Sequence, residues 1–336
     1  MLKSHDEYSL SNAEMSPLEK KKQIIQNAMY YNQPTFDDFV GAKGYSDAAI
    51  KSDKNKLKQK QDRIERESSK SFDDDFAHDM EPILTYILND RVLFPTRQNF
   101  AFLASEFDDK CKGTDIVFGI QRRDGGFSAY GIDVATGTNP ERLHAKFTKT
   151  FETFNGVSDI HYCKHDNLRW KERQAPHFVL GMSPASQIKA VDEFIASDNM
   201  LQGRNTDKRS DFIILSEIEE QIILHRELLK LKGATNDPLI TARAEHLTDL
   251  KSAVERALRR TLDIEAKNYG TKQEMLDAFK KEYAQAKKYC AKEDSVYNNI
   301  VNEASIRTRE AKKRLEYKAI GHLAVAASAD VRDKAS

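Results

Sequence analysis

Along this chain, apolar side chains recur at helical spacing in most segments and on alternate residues in one central stretch. Ile24, Ile25 and Met29 form a partial stripe after Ser16 and Pro17, a capping residue and a first-turn proline, which predicts a helix over residues 17–31. Residues 51–70 hold eight Lys/Arg against four Asp/Glu and almost no apolar side chains, as either a solvated helix or a disordered basic linker would. From Phe76 the texture changes. Met80, Ile83, Leu84, Ile87 and Leu88 keep the 3.6 period and predict an amphipathic helix ending before Pro95. A loop is expected through Phe102 and Leu103. Ile116, Val117, Phe118 and Ile120 then make a β-prone run, Asp124-Gly125-Gly126 a hairpin turn, and Phe127 to Val134 the returning strand.

Thr138-Asn139-Pro140-Glu141 reads as a capping box, and the helix behind it would align Leu143, Phe147, Phe151 and Phe154 before Asn155-Gly156 ends it. Strands are expected over 160–164 and 177–182. A helix from Ser183-Pro184 would turn Ile188, Val191 and Phe194 or Ile195 inward. Phe212 to Lys232 is strongly amphipathic, with Leu215, Ile218, Ile222 and Leu229 in register and Gly233 as its stop. Further stripes follow: Leu247, Leu250, Val254 and Leu258, then Met275 or Leu276, Phe279, Tyr283, Ala286 and Cys290. The expected fold is α+β, a small mixed sheet flanked by helices. Three regions are expected: an N-terminal helical arm and charged linker (1–75), the sheet core (76–200), and a C-terminal helical hairpin or coiled coil (201–336).

Composition narrows the functional classes. The chain is 39% apolar and 32% charged, so a modest core carries much solvated surface. With 53 basic and 53 acidic side chains, global charge says nothing about nucleic acid, and only local patches can. Cys111, Cys163 and Cys290 form no CxxC pair, which suits a reducing compartment. The first residues hold no apolar secretory run and no stretch of about 18 apolar residues occurs, so the expected location is cytoplasmic, off the membrane.

Candidate chemistry concentrates between Ser105 and Thr136. Asp115 opens one strand and Asp133 closes the next, and a hairpin brings such positions to one end of the sheet. Paired carboxylates repel unless a cation or a shared proton offsets them. Oxygen ligands without His or Cys point to Mg²⁺ or Mn²⁺ rather than zinc.

Asp108-Asp109, then Gly113-Thr114-Asp115-Ile116-Val117, a turn, and Gly131-Ile132-Asp133-Val134-Ala135-Thr136 together resemble the PD-(D/E)XK, or restriction-endonuclease-like, nuclease superfamily. The resemblance covers the core region, where a helix precedes the hairpin and a helix then a strand follow it. It implies a metal-dependent nucleic-acid phosphodiesterase with Asp115 as first acid and Asp133 as second. It further implies Mg²⁺ or Mn²⁺ held by Asp115, Asp133 and Asp109, with assistance from a glutamate, Glu106 or Glu81. The family's lysine, two residues beyond the second acid, is Ala135 here. Some members move that lysine to a neighbouring element, and Lys146, then Lys164, are the candidates.

Other readings stand beside it. Asp108 and Asp109 could be turn formers, Asp133 a solvent-facing strand residue, and Lys146 a surface lysine. His161, Cys163 and His165 share a strand face with His177 nearby, but no second cluster completes a zinc site. Trp170 among Arg169, Lys171 and Arg173 could stack on a base or pack at a loop. No phosphate-binding glycine loop or GxSxG elbow is present. The alternative to an enzyme is an inactive nuclease-like fold that binds nucleic acid, or that pairs with itself or a helical partner through residues 241–318. From Thr241 onward there are 20 Lys/Arg against 15 Asp/Glu.

Overall fold

The computed structural model describes residues 17–67, 72–89, 93–94, 98–122, 124–136, 139–153, 156–164, 172–196, 208–233, 237–264, 267 and 269–333. The expected N-terminal helix is α1 (Pro17–Tyr31), and the basic segment is helical too, as α2 (Asp47–Glu67). Its stability comes from one buried edge. Ile50 and Leu57 pack with Phe39, Tyr45, Phe107 and Tyr162 into a small aromatic cluster, while Asp53 accepts the Tyr162 hydroxyl at 3.0 Å. The next helix is α3 (Phe72–Asn89), with Met80, Leu84 and Leu88 fully buried.

Five strands form one mixed sheet: β1 (Asn99–Leu103), β2 (Ile116–Gln121), β3 (Phe127–Ala135), β4 (Val157–Ile160) and β5 (Glu172–Gly181), in the order β1-β2-β3-β5-β4. The first three make an antiparallel meander. β5 runs parallel to β3, and β4 antiparallel to β5. Strand alternation splits the apolar residues between two layers. Ile116, Phe118, Ile120, Tyr130, Ile132, Val134, Phe178 and Leu180 join α3 in the main core. On the other face, Ala135 and Val179 meet Leu143, Phe147 and Phe151 from α4 (Pro140–Thr148) and the wide helical turn Lys149–Thr153 that continues it.

Several expectations shift. The segment read as a loop through Phe102 and Leu103 is the edge strand β1, whose Phe100 ring lies over Gly119, where a Cβ would come within 1.9 Å. Its run is too short and too evenly apolar to show a period. The strand expected over 160–164 lies earlier, at 157–160, because the amides of His161 and Tyr162 are drawn off to the Asp108 carboxylate at 2.8 and 2.9 Å. The α4 cap is Asn139, whose side chain accepts from Glu141 N; Thr138 and Phe154 lie outside the described residues. In α5 (Pro184–Ala196), Ile188 is 55% exposed rather than inward, and Ser186, Gln187 and Ala190 are buried instead. The side chains of Val191, Phe194 and Ile195 are outside the described set.

The largest correction concerns the boundary at residue 200. α6 (Lys208–Lys232) is part of the sheet core: Phe212, Leu215, Ile218 and Ile222 enter the main cluster and Leu224 the opposite one. β4 covers only the first half of β5, so the backbone of residues 177–181 would be left as an open edge. α6 closes it with side chains one turn apart. His225 Nε2 lies 2.9 Å from the His177 carbonyl. The Gln221 amide both accepts from Val179 N (2.8 Å) and donates to Val179 O (2.7 Å), and Glu217 accepts from Gly181 N (3.0 Å). Buried backbone groups need partners, and here a helix supplies what a strand normally would.

The remaining helices are α7 (Pro238–Thr261), α8 (Lys272–Glu293) and α9 (Ser295–Asp333). The α7 stripe Leu247, Leu250, Val254 and Leu258 is fully buried, whereas Phe279, Tyr283 and Ala286 of α8 are only partly so. α8 and α9 pack together and are joined at Asp294, whose carboxylate accepts from Ser183 N and Tyr297 N. No described helix is long and apolar enough to cross a membrane.

The edge closure is testable. Gln221→Leu keeps bulk but orphans both Val179 groups, and should lower the unfolding free energy by about 2–6 kcal/mol, at about 1–3 per group. Burial, reinforced by Asp294, pushes the Glu217 carboxyl well above its usual range. Glu217→Gln removes that carboxyl yet keeps an oxygen to accept from Gly181 N, and should change stability by less than about 1 kcal/mol. Urea unfolding of both variants decides the matter; equal, small losses would mean that packing alone holds the edge.

Candidate active site

The β2–β3 register pairs Ile116 with Ile132, which sets Asp115 opposite Asp133. Asp115 is locked there: its N donates to Ile132 O (2.8 Å), its carbonyl accepts from Ala104 N (2.9 Å), and its Oδ2 accepts from Val134 N (2.6 Å). Asp133 turns away from the core side taken by Ile132 and Val134 and faces α4. Leu143 and Phe147 anchor that helix, and Lys146 beside them reaches the strand end. Its Nζ donates to Asp133 Oδ1 and to Val134 O, both at 2.5 Å. A positive charge thus reaches the end of β3 from the neighbouring layer.

Two further elements contribute. The helical turn Asp108–Lys112, closed by Gly113 at φ 72, carries Asp109, paired with Lys110 at 2.7 Å. Lys149, in the turn after α4, lays its ammonium beside Gly113, where a Cβ would lie 2.4 Å from Nζ. Glu81 of α3 acts electrostatically on Asp115, Lys110 and Lys146.

Burial, with Asp133 and Glu81 added, pushes the Asp115 carboxyl well above the usual range, and Lys146 only partly opposes this. Burial would also raise Asp133, but Lys146 outweighs it and holds that carboxyl low. Burial works against the charge on Lys146 as well, yet Asp133 and Asp115 bring its pKa up to about 12. Asp109 is raised, by burial first and then by Asp133 and Glu106, against the pull of Lys110. The two carboxyls are thus pushed in opposite directions, Asp115 upward by burial and Asp133 downward by Lys146. Among the described residues, Asp115 Oδ1 and Asp133 Oδ2 accept no hydrogen bond. These two oxygens could hold a hard divalent ion with water completing its shell, as Mg²⁺ is commonly bound. Among the described residues no three His, Cys, Asp or Glu side chains form a metal-holding group.

The other candidates fall elsewhere. Glu106 is exposed and accepts from Gln61 Nε2 at 2.5 Å, so Glu81 is the glutamate whose charge reaches Asp115. Asp108 is a structural tie, accepting from His161 N, Tyr162 N and Ser105 Oγ. Lys164 pairs with Asp38 at 2.7 Å. His161 faces Asp53 and Cys163 is buried in an apolar cluster, while His165, Trp170 and Lys171 lie outside the described residues.

Two neighbours of the acids were not placed beside them from the sequence, Lys149 being unread and His177 being read only with the zinc candidates. Lys149 sits three residues after Lys146, a spacing that could have flagged it. His177 of β5, opposite Gly131, is 1% exposed, and neither ring nitrogen has a hydrogen-bond partner among the described residues. Only strand parity across a parallel pairing would have found it. The chain matches no protein-family model, no curated protein and no solved structure.

Burial, aided by Lys149 and Lys146, lowers the His177 pKa from 6.5 to about 4 despite Asp133. The unfolded chain therefore binds more protons between those values, and stability rises with pH across that window. The contribution is fully present above pH 6.5, is lost as pH falls toward 4, and amounts to on the order of 3 kcal/mol. His177→Gln should flatten that part of the profile in urea unfolding at pH 7 and pH 4.5. An unchanged slope would rule His177 out as its source.

Proposed function

We propose that this chain is a metal-dependent nucleic-acid phosphodiesterase. The observation that carries the reading is the convergence of Asp115, Asp133 and Lys146 at one end of the hairpin, with Lys146 2.5 Å from Asp133. The element order lends support: a helix, α3, comes before the β2–β3 hairpin, and a helix, α4, and then strands, β4 and β5, come after it. That is the arrangement the PD-(D/E)XK resemblance leads one to expect.

In this reading Asp115 and Asp133 are the residues that would hold Mg²⁺ or Mn²⁺. Such an ion supplies Lewis acidity and an activated water for attack at phosphorus. The protein's own groups do the rest. Val134 N fixes Asp115 through Oδ2, so its other oxygen faces the site. Lys146 spends two N–H groups on Asp133 and Val134 O, and its third is left for a phosphate oxygen. With a pKa raised to about 12, it stays charged at any working pH and stabilises the charge that builds on phosphate. Asp109 and Lys110 flank the pair as a second, weaker ionic couple.

One observation favours the inactive alternative, a nuclease-like binding module: no three acids converge among the described residues. That module would bind without cutting. Labelled single- and double-stranded DNA and RNA, incubated with Mg²⁺ or Mn²⁺, separate the two. Cleavage is expected, lowered at least about 10³-fold by Asp115→Asn or Asp133→Asn and about 10²-fold by Lys146→Met. Folded wild-type protein that cuts none of the four substrates would overturn the enzyme reading.

A further inference from the structure

Net charge is zero, so any recognition of a polyanion must come from a local arrangement of cations. One such arrangement leads to the acid pair. Lys56, Lys60 and Arg63 follow one another at helical spacing along one flank of α2. Across from them is the helical turn Asp108–Lys112, which packs against α2 and carries Lys112 at its end. Gly113 comes next, with the Lys149 ammonium beside it, and Lys149 in turn acts on Asp133 and His177. Lys60, Lys112 and Lys149 thus come from three elements that pack in succession, α2 on the Asp108–Lys112 turn and Lys149 against Gly113, which closes that turn.

The arrangement is rigidly mounted. α2 is held by Ile50 and Leu57 in the aromatic cluster, by Asp53 on Tyr162, and by Gln61 on Glu106 of the same turn. A merely solvated charged helix would need none of these ties.

We propose that Lys60, Lys112 and Lys149 form a track for the phosphate backbone of a nucleic-acid strand, guiding one phosphodiester to Asp115, Asp133 and Lys146. The proposal rests on the phosphodiesterase reading of that site and adds where the substrate lies. The lysines bind phosphates one by one, so the track recognises the backbone rather than the base sequence.

The test is fluorescence anisotropy with a labelled oligonucleotide, in Ca²⁺ to hold back cleavage, over a range of salt. Lys60→Gln with Lys112→Gln should weaken binding about tenfold and reduce the slope of log K against log salt by about 1.5, as expected for two lost phosphate contacts. Lys60→Arg with Lys112→Arg should restore both, and circular dichroism melts should match wild type. As a control, Lys281→Gln with Lys288→Gln on α8 removes the same charge and should leave binding unchanged. Affinity and slope within about twofold of wild type in the Gln pair, or an equal loss in the α8 control, would overturn the track. Wild-type protein that binds with this lysine dependence but cuts nothing would sink the phosphodiesterase reading and leave the track standing. Cleavage with no lysine dependence would do the reverse, and no binding at all would remove both.

Discussion

Half of β5 has no strand on its outer side, and the molecule is organised around satisfying that edge. The His177 carbonyl, both Val179 groups and the Gly181 amide lie along that edge, and each left unpaired would cost about 1–3 kcal/mol. Glu217, Gln221 and His225, at successive turns of α6, take them up. Position on β5 then propagates. β5 sets β3 through the pairings Gly131 with His177 and Asp133 with Val179, and β3 carries the acid that α4 meets with Lys146. A helix outside the apparent core therefore decides where the candidate chemistry sits.

The acid site follows a similar economy of partners. Asp115 and Asp133 are brought together by hairpin register, which hydrophobic alternation on the other face dictates: Ile116, Ile132 and Val134 must point into the core. The two carboxylates must then coexist in a buried place. Lys146 settles the charge on Asp133, while burial and the neighbouring Asp133 push the Asp115 carboxyl well above its usual range. The asymmetry lies in what each acid touches, a backbone amide for Asp115 and an ammonium for Asp133.

Much of this was legible in the sequence, for identifiable reasons. The β2–β3 hairpin announced itself through Asp124-Gly125-Gly126, and α3, α6 and α7 through unbroken apolar periods. The placement of both acids at one sheet end followed from the hairpin alone, and Lys146 from its position on the succeeding helix. What was not legible depends on tertiary partners. β1 has too few residues for a period. β4 ends early because Asp108 captures the next two amides. The role of α6 is carried by Glu217, Gln221 and His225, polar residues that on a helical wheel look like solvent-facing interruptions. Glu81 outranks Glu106 only once α3 is seated on the sheet.

Because Lys146 arrives from α4, position 135 needs no long side chain, and Ala135 lies so close to Gly181 that a Cβ there would fall within 1.8 Å of the Ala135 carbonyl. The anionic and cationic halves of the site thus belong to different layers, the sheet and the helix above it. A β3 detached from α4 would keep its acids but not their counter-charge. The ionic state of Asp133 is therefore a gauge of whether the two layers are docked, and the complete constellation exists only in the fully assembled domain.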